Sequence, residues 1–148
     1  MMTTNEKNSA TFIHLSTLTQ YFIPFGNYIF PILIWSSKKN ESEFVDFNGK
    51  QTLNFQLSMF LYSLLLLLIA VPIILYAVFN NVDIVNNYNY DFDNFPLSKI
   101  TGIVMIGIIA GLIFCFMKAM EFFLIIHAAV KSSNGENYKY PLSIPFFK

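Results

Sequence analysis

The chain of 148 residues contains no arginine, and its nine lysines are balanced by nine acidic residues to a formal net charge of zero. A protein that binds nucleic acid needs a basic face to neutralise phosphates, so the composition excludes a nucleic-acid partner. The single cysteine, Cys115, cannot form an internal disulfide or a thiolate zinc site. Charged residues make up only 12% of the chain, about half of the usual share of roughly 25%. We therefore predict an integral membrane protein.

Three segments with few charges are long enough to form membrane helices, since about 20 apolar residues cross a 30 Å hydrocarbon core. They cover about residues 11–35, 55–79 and 100–130 of a single membrane domain, 1–148. The second contains no charged residue, and its Pro72 is expected to kink the helix without ending it, because membrane helices tolerate proline.

The first segment is the least regular of the three. It is interrupted by Gln20, Pro24, Gly26, Asn27 and Pro31. We expect one helix up to about Tyr21, a break at Pro24 and a second helical piece up to Trp35. This segment either crosses the membrane as a broken helix, which we favour, or dips in and returns.

Lysine excess marks the cytoplasmic side of a membrane protein. The connection 36–54 and the tail 131–148 carry Lys38, Lys39, Lys50, Lys131, Lys139 and Lys148, whereas the connection 80–99 carries Asp83, Asp91 and Asp93 against Lys99. We therefore expect a multi-pass protein of the inner (cytoplasmic) membrane with loop 36–54 and the C-terminus inside and loop 80–99 outside. The N-terminus lies outside if the first segment crosses, and inside if it returns.

Four polar residues follow one face of the second segment, at spacings of three, four and four. They are Gln51, Asn54, Ser58 and Tyr62. Polar groups at membrane depth are costly against lipid, so this stripe should face protein. It either joins helices by hydrogen bonds, which we favour, or lines a polar path for a substrate.

The third segment has two features that concern packing and charge. Gly107 and Gly111, extended by Cys115, form a row of small residues that lets a second helix approach, either the second segment or another copy. Lys118 and Glu121 are ionisable residues inside the apolar run, and their spacing allows them to pair on one helix face. We expect a structural ion pair, with a partner contact or an ion pathway as alternatives.

The chain shows no motif of a known catalytic or cofactor site. His14 and His127 have no cysteine or carboxylate at a metal-binding spacing, so we expect His14 to be a hydrogen-bonding residue of the packed helices. We predict no enzyme activity, cofactor or metal.

The residues before and after the membrane segments suggest shorter elements. Ser42 can cap a short interfacial helix whose Phe44 and Phe47 contact the headgroups, with a bend at Gly49 before the second segment. Gly135 is placed to end the third helix. The tail that follows should be extended because it contains two prolines.

Several short motifs resemble those of a family of small bacterial membrane proteins of the Tic-twenty-like group, which has no assigned function. They include His14-Leu-Ser16, Ile23-Pro24-Phe25-Gly26-Asn27, Pro31-Ile-Leu-Ile-Trp35, Phe44-Val-Asp46, Gly49-Lys50, Asn54-Phe-Gln56 and Tyr140-Pro141-Leu142. The resemblance implies a compact helical membrane domain with Asp46 and Asn54 in its signature loop.

We thus predict an all-α membrane protein with three hydrophobic helical segments, the first broken at Pro24. Its expected role is that of a non-enzymatic subunit or scaffold in a membrane complex, with the lipid bilayer and either protein partners or further copies around it. The alternative is a transporter or protein-translocation pore component that uses the polar residues at membrane depth.

Overall fold

A computed structural model of the protein describes residues 2–40, 42–80 and 97–148. In these ranges the regular structure is helical, as predicted: α1 is Thr4–Ser16, a 3₁₀ helix follows at Thr17–Tyr21, α2 is Gly26–Lys38, α3 is Glu43–Phe79 and α4 is Leu97–Ser133. The predicted outer loop 80–99, with its aspartates, falls mostly on residues outside these ranges, and α4 already begins at Leu97.

The chain divides into two compact units. The first, which we call the base, consists of Met1–Leu61 and Lys118–Lys148, and the second, which we call the apolar hairpin, is Tyr62–Met117. Both α3 and α4 contribute residues to each unit. Nearly all buried side chains of the described residues belong to the base.

The helix α1 begins with a capping box that satisfies its free amide groups. The Thr3 backbone N–H donates to Glu6 Oε2 at 2.6 Å, and the Glu6 N–H donates to Thr3 Oγ1 at 3.3 Å. At its other end the helix tightens into the 3₁₀ turn, and α2 starts after the turn at residues 22–25. The two helices pack against each other as a helical hairpin, so the break lies where Pro24 predicts it.

Proline has different consequences at different positions in this chain. Pro24 lies in the exposed turn, whereas Pro31 is buried inside α2, and the helix continues through it. The expectation that Pro31 interrupts the first segment is therefore wrong. The helix α3 also continues through Pro72, as predicted.

The helix α3 runs without interruption over 37 residues. The separate interfacial helix and the bend at Gly49 are therefore wrong, and so are the bounds of loop 36–54, because only residues 39–42 separate α2 from α3. Gly49 lies inside α3, where a Cβ atom would overlap the indole of Trp35. The glycine is needed for close packing and not for a bend.

The helix α4 ends at Ser133 and, as predicted, is terminated by Gly135. This glycine has φ +82°, its N–H donates to Ser132 O at 2.9 Å, and the Glu136 N–H donates to Lys131 O at 3.0 Å. Together these bonds form a Schellman motif, which glycine favours because it adopts a positive φ without strain. The rest of the tail has no helix.

Two helices in the described ranges are long and apolar enough to cross a membrane, Glu43–Phe79 and Val104–Ser133. Their most apolar windows are 0% and 11% buried within the chain, so these helices are not the core of a soluble protein. The first predicted segment is not among them, since α1 and α2 have 13 residues each. These observations describe a helical membrane protein.

Candidate functional site

The base is held together by a cluster of polar side chains around His14, which is completely buried. His14 Nε2 lies 3.1 Å from Asn48 Oδ1, and Nδ1 lies 2.9 Å from the Tyr140 hydroxyl and 2.8 Å from Thr52 Oγ1. The cluster joins α1, α3 and the tail. His14 is thus a hydrogen-bonding residue of the packed helices, as the sequence suggests.

The hydrogen bonds of Asn48 define the tautomer of His14. Asn48 Nδ2 donates to Phe44 O at 2.9 Å, which leaves Oδ1 to accept from both Ser132 Oγ at 3.0 Å and His14 Nε2. The imidazole therefore carries its proton on Nε2, and Nδ1 accepts from the Tyr140 hydroxyl. Ser132 adds α4 to the cluster.

Burial shifts the pKa values of the two titratable rings in the cluster, the His14 imidazole and the Tyr140 phenol. Desolvation lowers the pKa of His14, which lies outside both membrane-spanning helices, from 6.5 to about 4. Burial likewise raises the pKa of Tyr140 well above 10. Both groups are consequently neutral at physiological pH, so the cluster contains no charge to stabilise.

A second junction attaches the end of α2 to the start of α3. Trp35 Nε1 donates to Asp46 Oδ1 at 2.9 Å, and Asp46 Oδ2 lies 2.7 Å from Lys50 Nζ. The indole covers Gly49, and Lys39 Nζ lies 5.1 Å from the ring centroid on its face. Three of the motif residues quoted above, Trp35, Asp46 and Gly49, therefore form one contact.

The other motif residues have separate positions. Tyr140 stacks on Phe55 with ring centroids 4.1 Å apart, and the next residue, Pro141, is exposed. Gly26 is buried at the start of α2, where a Cβ atom would meet the side chain and backbone of Thr19. Pro24 and Pro31 belong to the helical hairpin, Pro24 in its exposed turn and Pro31 buried in α2.

The polar stripe on α3 binds the C-terminal tail. Asn54 Oδ1 accepts from the N–H groups of Phe146 at 3.0 Å and Phe147 at 2.8 Å, while Asn54 Nδ2 donates to Phe147 O at 3.0 Å. Ser58 Oγ accepts from Ile144 N–H at 2.8 Å. The stripe was expected to join helices, and its two buried members instead hold a non-helical segment.

The remaining members of the stripe are less buried than Asn54 and Ser58. Gln51 is half-buried in the base, and Tyr62 is half-buried in the apolar hairpin. The residues that do join helices form a second row, Asn48, Thr52 and Gln56, four positions apart on α3. Sequence reasoning missed this row, although its regular spacing could have shown it.

Lys118 and Glu121 form the predicted ion pair, with Lys118 Nζ 2.8 Å from Glu121 Oε2. Glu121 is completely buried, and its other oxygen accepts from Gln20 Nε2 at 3.0 Å. The pair thus connects α4 with the 3₁₀ helix. From the sequence, Gln20 is identified only as an interruption of the first segment, and its hydrogen bond to the Glu121 carboxylate is missed.

Nearby, α2 is attached to α3 by amide groups. Asn27 Nδ2 donates to Gln56 Oε1 at 2.7 Å, and the Tyr28 hydroxyl donates to Gln56 O at 3.2 Å. Gln56 Nε2 is buried without a protein partner. These contacts place the closed end of the helical hairpin beside Gln56.

In the apolar hairpin the groove between α3 and α4 is lined by aliphatic residues: Leu66, Ile69, Ala70, Ile73, Ile106, Ile109, Ala110 and Ile113. Gly107, Gly111 and Cys115 are exposed, and nothing lies within 4 Å of a Cβ atom at either glycine. The expectation that this row packs on the second segment is therefore wrong, and the alternative of another copy stays a prediction.

Within the described ranges, no group of three or more His, Cys, Asp and Glu side chains could hold a metal ion. The side chains of the site hold the helices and the tail of the base together through hydrogen bonds and through the ion pairs Asp46–Lys50 and Lys118–Glu121. Such an arrangement supports a structural role more directly than a catalytic one.

Comparison with curated proteins and with solved structures found no match to the chain. A comparison with protein families found one that covers nearly the whole chain, residues 5–147. It is a bacterial membrane-protein family, as the resemblance implies, and its description does not name the Tic-twenty-like group. The chain belongs to the magnetosome magnetite crystal formation protein family.

Proposed function

We propose that this chain is a non-enzymatic membrane scaffold that serves the process named in its family description, the formation of magnetite crystals in magnetosomes. The observation that carries the proposal is how the buried polar residues of the base are used. His14, Asn48, Asn54 and Glu121 all bond to other parts of the same chain. A catalytic site would need such groups to be accessible to a substrate.

The alternative is a transporter or translocation-pore component in which Lys118 and Glu121 line the path of the substrate through the membrane. Two observations favour the scaffold. Glu121 is sealed between Lys118 and Gln20, and the groove between α3 and α4 in the apolar hairpin is lined only by aliphatic side chains. A polar substrate would lose its hydration there without compensation.

For orientation, we propose a multi-pass protein whose connection 39–42 and C-terminal tail lie in the cytoplasm. The lysine-rich segments belong to the base, as the positive-inside rule requires for cytoplasmic parts. The end of α3 at Phe79 and the start of α4 at Leu97 would then lie toward the opposite side, and the membrane is either the inner membrane or one derived from it.

A second copy or a partner helix is proposed to contact the exposed row Gly107, Gly111 and Cys115. Small residues at this spacing allow close approach of two helices in lipid. The row is directed away from the aliphatic groove between α3 and α4, so a contact there would not compete with the packing of these two helices.

The scaffold and the transporter are separated by the double variant Lys118→Met, Glu121→Gln. It removes both charges but keeps an amide at position 121 that can bond Gln20. Replacing a buried ion pair as a whole is often neutral, whereas removing one partner costs about 3–5 kcal/mol. The scaffold proposal therefore expects the double variant to fold and function, and expects Lys118→Met alone to be destabilised.

The readout is magnetite crystal size, measured by electron microscopy in a magnetite-forming bacterium that lacks its own members of the family. The unaltered chain and the double variant should restore it equally. A matched variant, His14→Leu with Asn48→Leu, should fail because the base loses its hydrogen bonds. A double variant that reaches the membrane in normal amount but leaves the crystals small would support transport, and failure of the unaltered chain would contradict the proposed process.

A further inference from the structure

The turn between the 3₁₀ helix and α2 exposes large apolar side chains. Phe22 is 88% exposed and Phe25 69% exposed, and Tyr21 and Ile23 beside them are exposed as well. From Asn8 to Ser37 the chain has no Asp, Glu, Lys or Arg, and the one histidine in this range, His14, is buried. Four exposed apolar side chains within five residues are unfavourable in water and favourable in hydrocarbon.

The open end of the helical hairpin, where α1 begins and α2 ends, is polar. Hydrogen bonds from the Thr3 backbone and the Ser42 side chain lower the pKa of Glu6, which places the start of α1 beside the start of α3. The end of α2 is joined to the same place by residues 39–42, and Lys38 and Lys39 lie there. Charge is thus found at the open end and is absent from the tip.

The hairpin is too short to cross a bilayer. The helix α2, which leads from the tip back to the open end, has 13 residues, or about 20 Å, against a hydrocarbon core of about 30 Å. Its closed end lies beside Gln56, which is only 13 residues after the start of α3 at Glu43. The chain therefore enters and leaves at one face.

Phe25 supplies an independent observation. Its backbone has φ +61°, a conformation that costs a non-glycine residue about 1–2 kcal/mol. Since most of its side chain is exposed, contacts inside the chain recover little of this cost. Contact of the aromatic ring with lipid would offset it.

We propose that α1 and α2 form a re-entrant hairpin whose tip, Tyr21–Phe25, is seated among the acyl chains of one leaflet. Within the base, the hairpin packs on α3 at Gln56, and Phe60, one turn further along α3, is 54% exposed. The N-terminus then lies on the same side of the membrane as the connection 39–42 and the C-terminal tail. This inference does not depend on the proposed scaffold role.

Single-cysteine labelling in vesicles of bacterial lipid tests the proposal, with Cys115→Ser as the background. Asn5→Cys and Asn40→Cys should react with a membrane-impermeant maleimide from the same side, and Asn80→Cys from the other. Phe22→Cys should react at least about tenfold more slowly than Asn40→Cys, because a thiol in hydrocarbon does not ionise readily. Leu67→Cys, exposed in the middle of α3, is the matched control for a lipid-facing thiol.

A permeant fluorophore on Phe22→Cys should be quenched by lipids that carry a spin label on the acyl chain, as on Leu67→Cys. Ile23→Cys is a second tip variant, in case the first is poorly produced. Labelling of Asn5→Cys and Asn40→Cys from opposite sides would show a crossing segment and overturn the proposal. Rapid maleimide labelling of both tip variants would also overturn the proposal. Slow labelling without quenching by the spin-labelled lipids would overturn it too, because it indicates that a protein partner covers the tip.

Discussion

His14 and Asn48 show how single side chains are satisfied inside a protein with few charges. Asn48 uses its amide N–H to bond Phe44 and its carbonyl oxygen to accept from both His14 and Ser132. Each polar group has a neutral partner, so burial costs little. The same arrangement prevents His14 from gaining a proton without breaking a bond.

The stability of the base should therefore fall as the pH is lowered from about 6.5 to about 4. Over this range the unfolded chain binds a proton at His14, whereas the folded chain, with a pKa of about 4, does not. The free energy of unfolding should decrease by about 1.4 kcal/mol per pH unit. Thermal unfolding in mild detergent from pH 4.5 to 7.5 measures this decrease.

The control for this prediction is His14→Gln, which can still donate to Asn48 and accept from Tyr140 but does not titrate. Its melting temperature should depend less on pH over the same range. Equal pH dependence of the two proteins would show that a group other than His14 is responsible.

At the scale of the elements, α3 forms hydrogen bonds with α1, α2, α4 and the tail. Successive turns bind Trp35 through Gly49, the His14 cluster through Asn48 and Thr52, and the tail through Asn54. The apolar run of α3 could be read from its composition. The sequence does not show that α3 continues through its polar first turns, because Gly49 and the nearby charges are equally compatible with a bend.

Gly49→Ala should destabilise the base by about 1–3 kcal/mol, since the added methyl group overlaps the indole of Trp35 and displaces it from Asp46. Alanine alone would favour a helix by about 1 kcal/mol relative to glycine. The matched control is Gly102→Ala, where nothing lies within 4 Å of the new atom. Denaturation in detergent should show a loss only for Gly49→Ala.

Asn54→Ala should release the end of the tail, because it removes three hydrogen bonds to Phe146 and Phe147. The expected loss is about 1–3 kcal/mol, and carboxypeptidase should remove the last residues faster than in the unaltered chain. Gln51→Ala, one turn earlier on the same stripe, should digest at the unaltered rate. If both variants are digested alike, Asn54 does not hold the tail.

At the scale of the whole molecule, the two units differ in the kind of side chain that they contain. The base contains most of the hydrogen bonds between side chains, and the apolar hairpin exposes aliphatic side chains over both helices. In lipid, helices associate through small residues and close packing rather than through the hydrophobic effect. Contacts between copies are therefore expected along the glycine row of α4.

If a second copy packs there, mild oxidation in membranes should join two chains through Cys115. Gly111→Leu should reduce the dimer on a non-reducing gel, because the larger side chain separates the helices. Ala110→Cys in a Cys115→Ser background is the control, since position 110 lines the groove toward α3. Equal cross-linking at both positions would indicate random collision in the membrane.

The amino-acid sequence by itself determined that lipid surrounds much of this protein, and it determined where the long helices lie. Scarce charge and long apolar runs leave lipid as the favourable surroundings, because transfer of apolar surface depends on composition and not on fold. The ion pair of Lys118 with Glu121 and the helix end at Gly135 were also predictable, since both depend on residues close in sequence.

Only the tertiary structure decided which polar residues meet. The contacts of His14 with Tyr140, of Asn54 with the tail and of Gln20 with Glu121 join residues that are about 90 or more positions apart. Periodicity shows which face of a helix is polar, but not which distant segment will cover that face. That choice depends on how the whole chain packs.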